Sequence, residues 1–246
     1  MNSYETFAGV DAFQKFSREV ALCRRYLRSP GSERFLRAVA ATCEERLRPV
    51  AAGETFWRAQ IGHGWVHDTE AGRRMRGPHP ETRMKPLPDR ASEGRINPKG
   101  IPCLYFATTR EVAMSEVRPW IGSFVSVGRF QTTRGLIVAD CSLLHDYVAR
   151  VAEHPSPAEI EKIVWANIDR AFSRPVTRSD DTAEYAATQV LAELFRAEGY
   201  DGVMYGSALS ANGKNVALFD LGCAEQVDSA VFTVRRASFE FDEVAP

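Results

Sequence analysis

Apolar positions set the first elements of the chain. In "VDAFQKFSREVALCRRYL" (10–27), Val10, Phe13, Phe16, Val20 and Leu27 recur at roughly helical spacing, which predicts an amphipathic helix. "SPGS" (29–32) breaks the pattern, and "SERFLRAVAATCEERL" resumes it up to Pro49. Residues 1–50 are therefore expected to form a helical N-terminal extension, two helices joined by a Pro-Gly turn, packed on the core or on a partner. From residue 54 the texture changes. "ETFWRAQ" reads as a strand, and residues 67–100 then offer Gly, Pro and charge with almost no apolar period. A loop-rich stretch of that length inside a domain is usually functional or disordered.

Beyond it, "CLYFA" predicts a strand and "TREVAMSEV" a helix, followed by strands in "FVSVGRF" and "GLIVADC". "SPAEIEKIVWANIDRAF" opens a helix with Ser156 as N-cap, Pro157 at the first helical position and Glu159 completing a capping box. A further helix is expected from about Asp181 to a stop at Gly199. "DGVMYG", "NVALFDL" and the alternating "VFTVRRASFEFD" (231–242) read as closing strands. Strands and helices interleave without a βαβ repeat, so the fold class is α+β, with residues 51–246 forming the main domain.

Composition changes this picture little. The 246 residues carry a net charge of −1, which leaves no electrostatic footprint for nucleic acid or an anionic membrane. No run of 18 apolar residues is present, and "MNSYETFAGVDAF" lacks the basic start and apolar core of a secretory signal, so a cytoplasmic protein is expected. The five cysteines form no C-x-x-C pair and read as small buried hydrophobes.

Candidate chemistry narrows by elimination. His63 and His67 have a helical metal-pair spacing, but Gly62 and Gly64 argue against a helix and no H-E-x-x-H follows, so no metal site is expected. "YGSALSANG" lacks the G-x-S-x-G elbow, and neither G-x-G-x-x-G nor a P-loop occurs. One stretch remains. "GRINPKGIPCLYFATTREVAMSE" (94–116) sets an arginine in a turn, then a strand with a tyrosine, then an acid. Such a set suits an N-glycosidic bond of a dinucleotide. Arg95 would neutralise a diphosphate, Tyr105 would offer a stacking face, and Glu116 would stabilise the oxocarbenium charge at ribose C1. Each residue also has an ordinary structural reading: Tyr105 as core aromatic, Glu116 as exposed helix charge.

"FWRA" (56–59), "GRINPKGIPCLYFATTREVAMSEV" (94–117) and "GYDGVMYGSALSANGKNVALF" (199–219) together resemble the RES domain, the toxin of RES–Xre toxin–antitoxin systems. The three blocks span about residues 54–225. The resemblance implies an ADP-ribosyltransferase-like α+β fold and an enzyme that destroys NAD+, by phosphorolysis to nicotinamide and ADP-ribose 1″-phosphate in characterised members. It implies no cofactor, with NAD+ as substrate and inorganic phosphate as co-substrate. Carried across, it marks Arg58 and Arg95 for the diphosphate or phosphate, with Arg95 also catalytic, Tyr105 for the nicotinamide ribose, Glu116 as the catalytic acid and Ser207 as a catalytic and binding serine. Asn215, in "GKNVALF", is a weaker binding candidate, since an Asn before a strand often just closes a turn. A helix-turn-helix antitoxin and an oligomeric complex are the partners it implies.

Two other functions stay open at this point. A transferase passing ADP-ribose to a macromolecule would be marked by an extra acid two residues before Glu116, where Met114 stands. A catalytically silent binding module would use the fold for protein contacts alone. Phosphorolysis and hydrolysis both need only a small acceptor near C1, so the residues leave that choice open.

Overall fold

The computed structural model describes residues 6–69, 72–145, 147–148, 152–174, 182–210, 212–238 and 243. Helices α1 (Ala12–Leu22) and α2 (Pro30–Cys43) form from the periodic segments, α1 burying Phe13, Phe16 and Val20 and α2 burying Phe35, Leu36 and Val39. Glu19 ties them together, accepting from the Ser29 backbone N–H and from the Ser29 and Ser32 hydroxyls. The helical pattern ends earlier than the sequence predicts. After a short 3-10 turn, Leu47–Val50 is a strand, β1, pairing antiparallel with β7 (Leu136–Asp140). Pairing with β7 there holds Leu47–Val50 extended, where the sequence pattern predicts helix up to Pro49.

The remaining strands are β2 (Thr55–Ile61), β3 (Gly64–Asp68), β4 (Arg73–Gly77), β5 (Leu104–Ala107), β6 (Phe124–Thr132), β8 (Gly202–Gly206), β9 (Lys214–Leu218) and β10 (Ala224–Thr233). The other helices are α3 (Glu81–Met84), α4 (Arg110–Glu116), α5 (Pro157–Ser173) and α6 (Ala186–Ala197). Eight strands make one mixed sheet in the order β1-β7-β8-β9-β5-β2-β6-β10, in which only β7 and β8 run parallel. This is the α+β class.

One face of the sheet, through Ala139, Val203, Tyr205 and Ala217, shares a core with α1, α2, α5 and α6. The N-terminal helices thus pack on the main core. Trp165 of α5, fully buried, donates its indole N–H to Thr42 of α2 at 2.9 Å and lies under the Arg46 guanidinium. The opposite face buries Phe56, Leu104, Phe106, Phe130, Met204 and Leu218 under Met84 of α3. At one end, α4 sets Val112 and Ala113 on Ala107, with Trp57 and Ala59 alongside.

The capping box of α5 forms as the sequence predicts, with Ser156 and Glu159 bonding each other's backbone N–H. Gly199 follows α6 at φ +86°, a left-handed position that glycine adopts without strain. Two expectations are corrected. The stretch after His67 is less irregular than its composition suggests, because β3 and β4 form a hairpin in which Arg74 and Arg76 lie over Trp65. Cation–π contacts take the place of an apolar alternation there. The last strand runs over Ala224–Thr233, not 231–242. Asp181 and residues 239–242, in the expected ends of two elements, lie outside the described residues.

Cys43, Cys103, Cys141 and Cys223 are buried free thiols, pushed up in pKa by burial, whereas Cys23 is exposed. Among the described residues, no helix is long and apolar enough to cross a membrane.

Candidate active site

The site begins where two strands part. β2 and β5 pair at one position, Trp57↔Ala107, and then diverge. The Arg58 side chain enters this gap and its Nη1 donates to the Tyr105 carbonyl oxygen at 2.9 Å, taking the place of a strand partner. Its Nε is buried without a hydrogen-bond partner. No carboxylate among the described residues pairs with this guanidinium, and burial lowers its pKa below the usual arginine value. A buried cation left with an unpaired donor is costly, and an anionic ligand would relieve that cost.

Glu116, the last residue of α4, faces the same gap. Its Oε1 accepts from the Ser207 hydroxyl at 2.7 Å and from the Asn215 side-chain amide at 2.7 Å. Ser207 follows β8 and is 2% exposed; Asn215 lies in β9 and is also buried. Two donors from neighbouring strands therefore fix one carboxylate oxygen, while Oε2 makes no hydrogen bond among the described residues. A cavity of about 250 Å³ opens beside it, lined by Trp57, Arg58, Tyr105, Glu116, Tyr205 and Asn215, among others. It is smaller than the usual range for small-ligand pockets and suits one end of a larger ligand.

The turn "GRINPKG" does a different task from the one its glycines suggest. Tyr105 donates its hydroxyl to Asn97 Oδ1 at 2.7 Å and accepts from the Ile96 N–H at 3.0 Å. A Cβ at Gly94 would stand 2.6 Å from that hydroxyl, so Gly94 is required by the tyrosine, not by an anion. Asn97 Nδ2 donates to the carbonyls of Ser92, Pro98 and Ile101. From α6, Gln189 donates to the Gly94 and Asn97 carbonyls, and Thr188 donates to that of Arg95. The turn is a clamp that holds Tyr105 upright in the wall of the cavity.

Arg95 itself points away from the cavity lining. Its Nη1 donates to the Ala171 carbonyl at 2.7 Å and its Nη2 to that of Arg174, at the C-terminal end of α5. A cation there also complements the helix dipole. Its charge still reaches the site, where it opposes the upward push of burial on the Tyr105 and Tyr205 hydroxyls. Arg95→Ala is expected to cost about 1.5–3 kcal/mol through these two bonds, or roughly 4–10 °C in Tm at this chain length. Differential scanning calorimetry reads this directly, and an unchanged Tm would show that the contact is idle.

The structure thus brings together Arg58, Tyr105, Glu116, Ser207 and Asn215, and places Arg95 behind them. Sequence reasoning missed Trp57, Tyr205, Thr188 and Gln189. Tyr205 was within reach, since on a strand it shares a face with Ser207 two residues later. Gln189 gave no signal, because it lies on a helix 92 residues from Asn97.

A family model described as the RES domain matches residues 55–242. Among solved structures, a chain in the crystal structure of the M. tuberculosis MbcT–MbcA toxin–antitoxin complex aligns at 16% identity and a TM-score of 0.40, over 78% of this chain and 90% of that one. No curated protein matches this chain.

Proposed function

The chain belongs to the RES-domain family, and from that premise we propose that it is an NAD+-degrading toxin that breaks the nicotinamide–ribose bond, most readily by phosphorolysis. The observation that carries this reading is Glu116, one oxygen held by Ser207 and Asn215 and the other without a hydrogen bond among the described residues, at a cavity that Arg58 also lines with one buried donor unsatisfied. In this arrangement the nicotinamide riboside end of NAD+ enters between Trp57, Tyr105 and Tyr205, and the diphosphate meets Arg58 with its planar fork. Glu116 Oε2 accepts a ribose hydroxyl and stabilises the positive charge that grows at C1. As the C1–N bond breaks, its electron pair returns to the pyridinium nitrogen, so nicotinamide leaves neutral and needs no proton. A phosphate oxygen then bonds C1 and gives ADP-ribose 1″-phosphate. Water in its place would lose a proton to solvent and give ADP-ribose. NAD+ is the substrate, and the reaction calls for no resident cofactor.

The transferase reading gains no support from the geometry. Met114 stands where its second acid would be, and its side chain lies on the opposite stripe of α4 from Glu116. The toxin reading also implies a cytoplasmic NAD+ pool as target and a protein that restrains the enzyme. An Xre-like helix-turn-helix antitoxin with an acidic or C-terminal segment would enter the cavity and compete with the diphosphate for Arg58.

Induced expression in bacteria should halt growth and deplete NAD+ in metabolite extracts, and co-expression with the adjacent reading frame should restore both. Purified enzyme should turn over faster with added inorganic phosphate and release a phosphorylated ribose product. Unchanged NAD+ with folded protein would sink the reading. Turnover indifferent to phosphate, with free ADP-ribose accumulating, would make the enzyme a glycohydrolase.

A further inference from the structure

A second concavity, about 960 Å³, lies on the other side of α4. At about 100° per helical residue, Glu111, Met114 and Ser115 form one stripe and Ala113 and Glu116 the opposite one. The first stripe lines this groove and the second lines the Glu116 cavity. The groove floor is apolar, with Met114, Val125, Leu209 and Phe232, and Trp120 at its rim is 71% exposed.

Three further features bear on what the groove takes. Arg118, Arg235 and Arg236 line it, and no carboxylate among the described residues pairs with them. The acid Glu111 is already neutralised by Arg110, whose guanidinium also covers the Phe232 ring. Arg118 has φ +46°, the left-handed position after a helix that glycine normally takes. An arginine is thus kept where glycine would be easier, with its cation at the groove. Lastly, β10 is the sheet's edge strand, with no outer partner among the described residues. Its first half is guarded by Glu225, Asp228 and a bulge between Gln226 and Asp228. Its second half, Ser229–Thr233, carries no charge, no proline and no bulge, and it runs directly into the groove. Native edges are usually blunted along their length, so an unguarded half reads as an edge kept open.

We propose that the outer edge of residues 229–233 and the groove behind α4 together receive an extended segment of a partner protein, alternating acidic and apolar residues, by strand addition. Backbone pairing to the edge supplies the affinity, apolar side chains drop onto Met114 and Phe232, and acids meet Arg118, Arg235 and Arg236. A second copy of this chain fits poorly, because it would bring its own arginines to the same rim. The surface is separate from the Glu116 cavity and does not depend on the NAD+ reading.

The probe is an acetylated and amidated octapeptide alternating Glu with Phe or Leu, labelled with fluorescein and titrated against the full chain by anisotropy. Saturable binding is expected, at least tenfold weaker for the same peptide with Lys in place of Glu. Arg235→Glu with Arg236→Glu should weaken it at least tenfold. Arg118→Gly should weaken it several-fold while Tm holds or rises, which a merely structural role for Arg118 would not give. Hydrogen exchange should slow at the outward amides of Ser229, Val231 and Thr233 on peptide addition, and alternate N-methylation of the peptide should abolish this protection. The proposal is overturned by absence of saturable binding, by equal affinity for the Lys peptide, or by protection appearing at the Glu116 cavity instead. It is equally overturned if tripolyphosphate displaces the peptide completely, which would make the groove a plain anion site. Sedimentation showing a dimer of the free chain that the peptide dissociates would assign the edge to a second copy.

Discussion

Glu116→Gln is expected to lower NAD+ turnover by about 10²-fold or more while leaving the fold intact. Glutamine keeps the carbonyl oxygen that Ser207 and Asn215 hold, so both 2.7 Å bonds retain an acceptor and the end of α4 stays in register. What disappears is the negative charge beside the developing cation at C1. That charge sits on a carboxylate already held in place by two buried donors, so it needs no reorganisation when the cation forms. The loss should fall on kcat more than on KM, because the cation exists only near the transition state. Steady-state kinetics with Tm measured alongside decides the matter. Near-normal turnover in a folded Glu116→Gln protein would mean that the acid lies elsewhere.

Arg58→Met should raise KM for NAD+ by about 30-fold or more, the equivalent of about 2 kcal/mol for a lost charge-assisted bond. Methionine keeps an unbranched stem in the gap between β2 and β5 but offers the diphosphate nothing. Its effect on Tm should be small, because two changes oppose each other. The Tyr105 carbonyl loses its donor, and a buried cation without a carboxylate partner is removed. Arg58→Lys should recover only part of the affinity, since an ammonium cannot form the two-pronged contact of a guanidinium. A KM unchanged in Arg58→Met would show that the diphosphate is bound by other groups.

The two experiments divide a site that the sequence showed in unequal parts. The helices and inner strands were legible because local chemistry dictated them: Ser156 and Glu159 cap α5 through neighbours three residues apart, and the apolar runs of β5, β8 and β9 are buried or half-buried at every position. Elements whose order comes from distant partners were not. Leu47–Val50 reads as helix until β7 pairs with it, and the bulge in β10 shifts the alternation by one residue, so the strand looked as if it began near Val231. Family resemblance named Glu116 and Ser207, with Asn215 a weaker candidate, but their convergence on one oxygen spans 99 residues of chain and appears in no local pattern. Arg95 shows the opposite failure. The motif marks it and the fold places it, yet its guanidinium serves the end of α5, which no motif encodes.

The strand order has a consequence for when activity first exists. β2 pairs with β6, β5 with β9 and β10 with β6, so neighbours in the sheet are far apart along the chain. Topologies of this kind fold slowly, because long loops must close before contacts repay them. Asn215 is made roughly 8–30 s after Arg58 at ordinary elongation rates. A nascent chain therefore carries that cation long before it carries the donors that fix the Glu116 carboxylate, and the proposed site is complete only once residue 215 has been made and folded. On the proposed reading, a restraining protein has that interval, plus the folding time, in which to reach the chain.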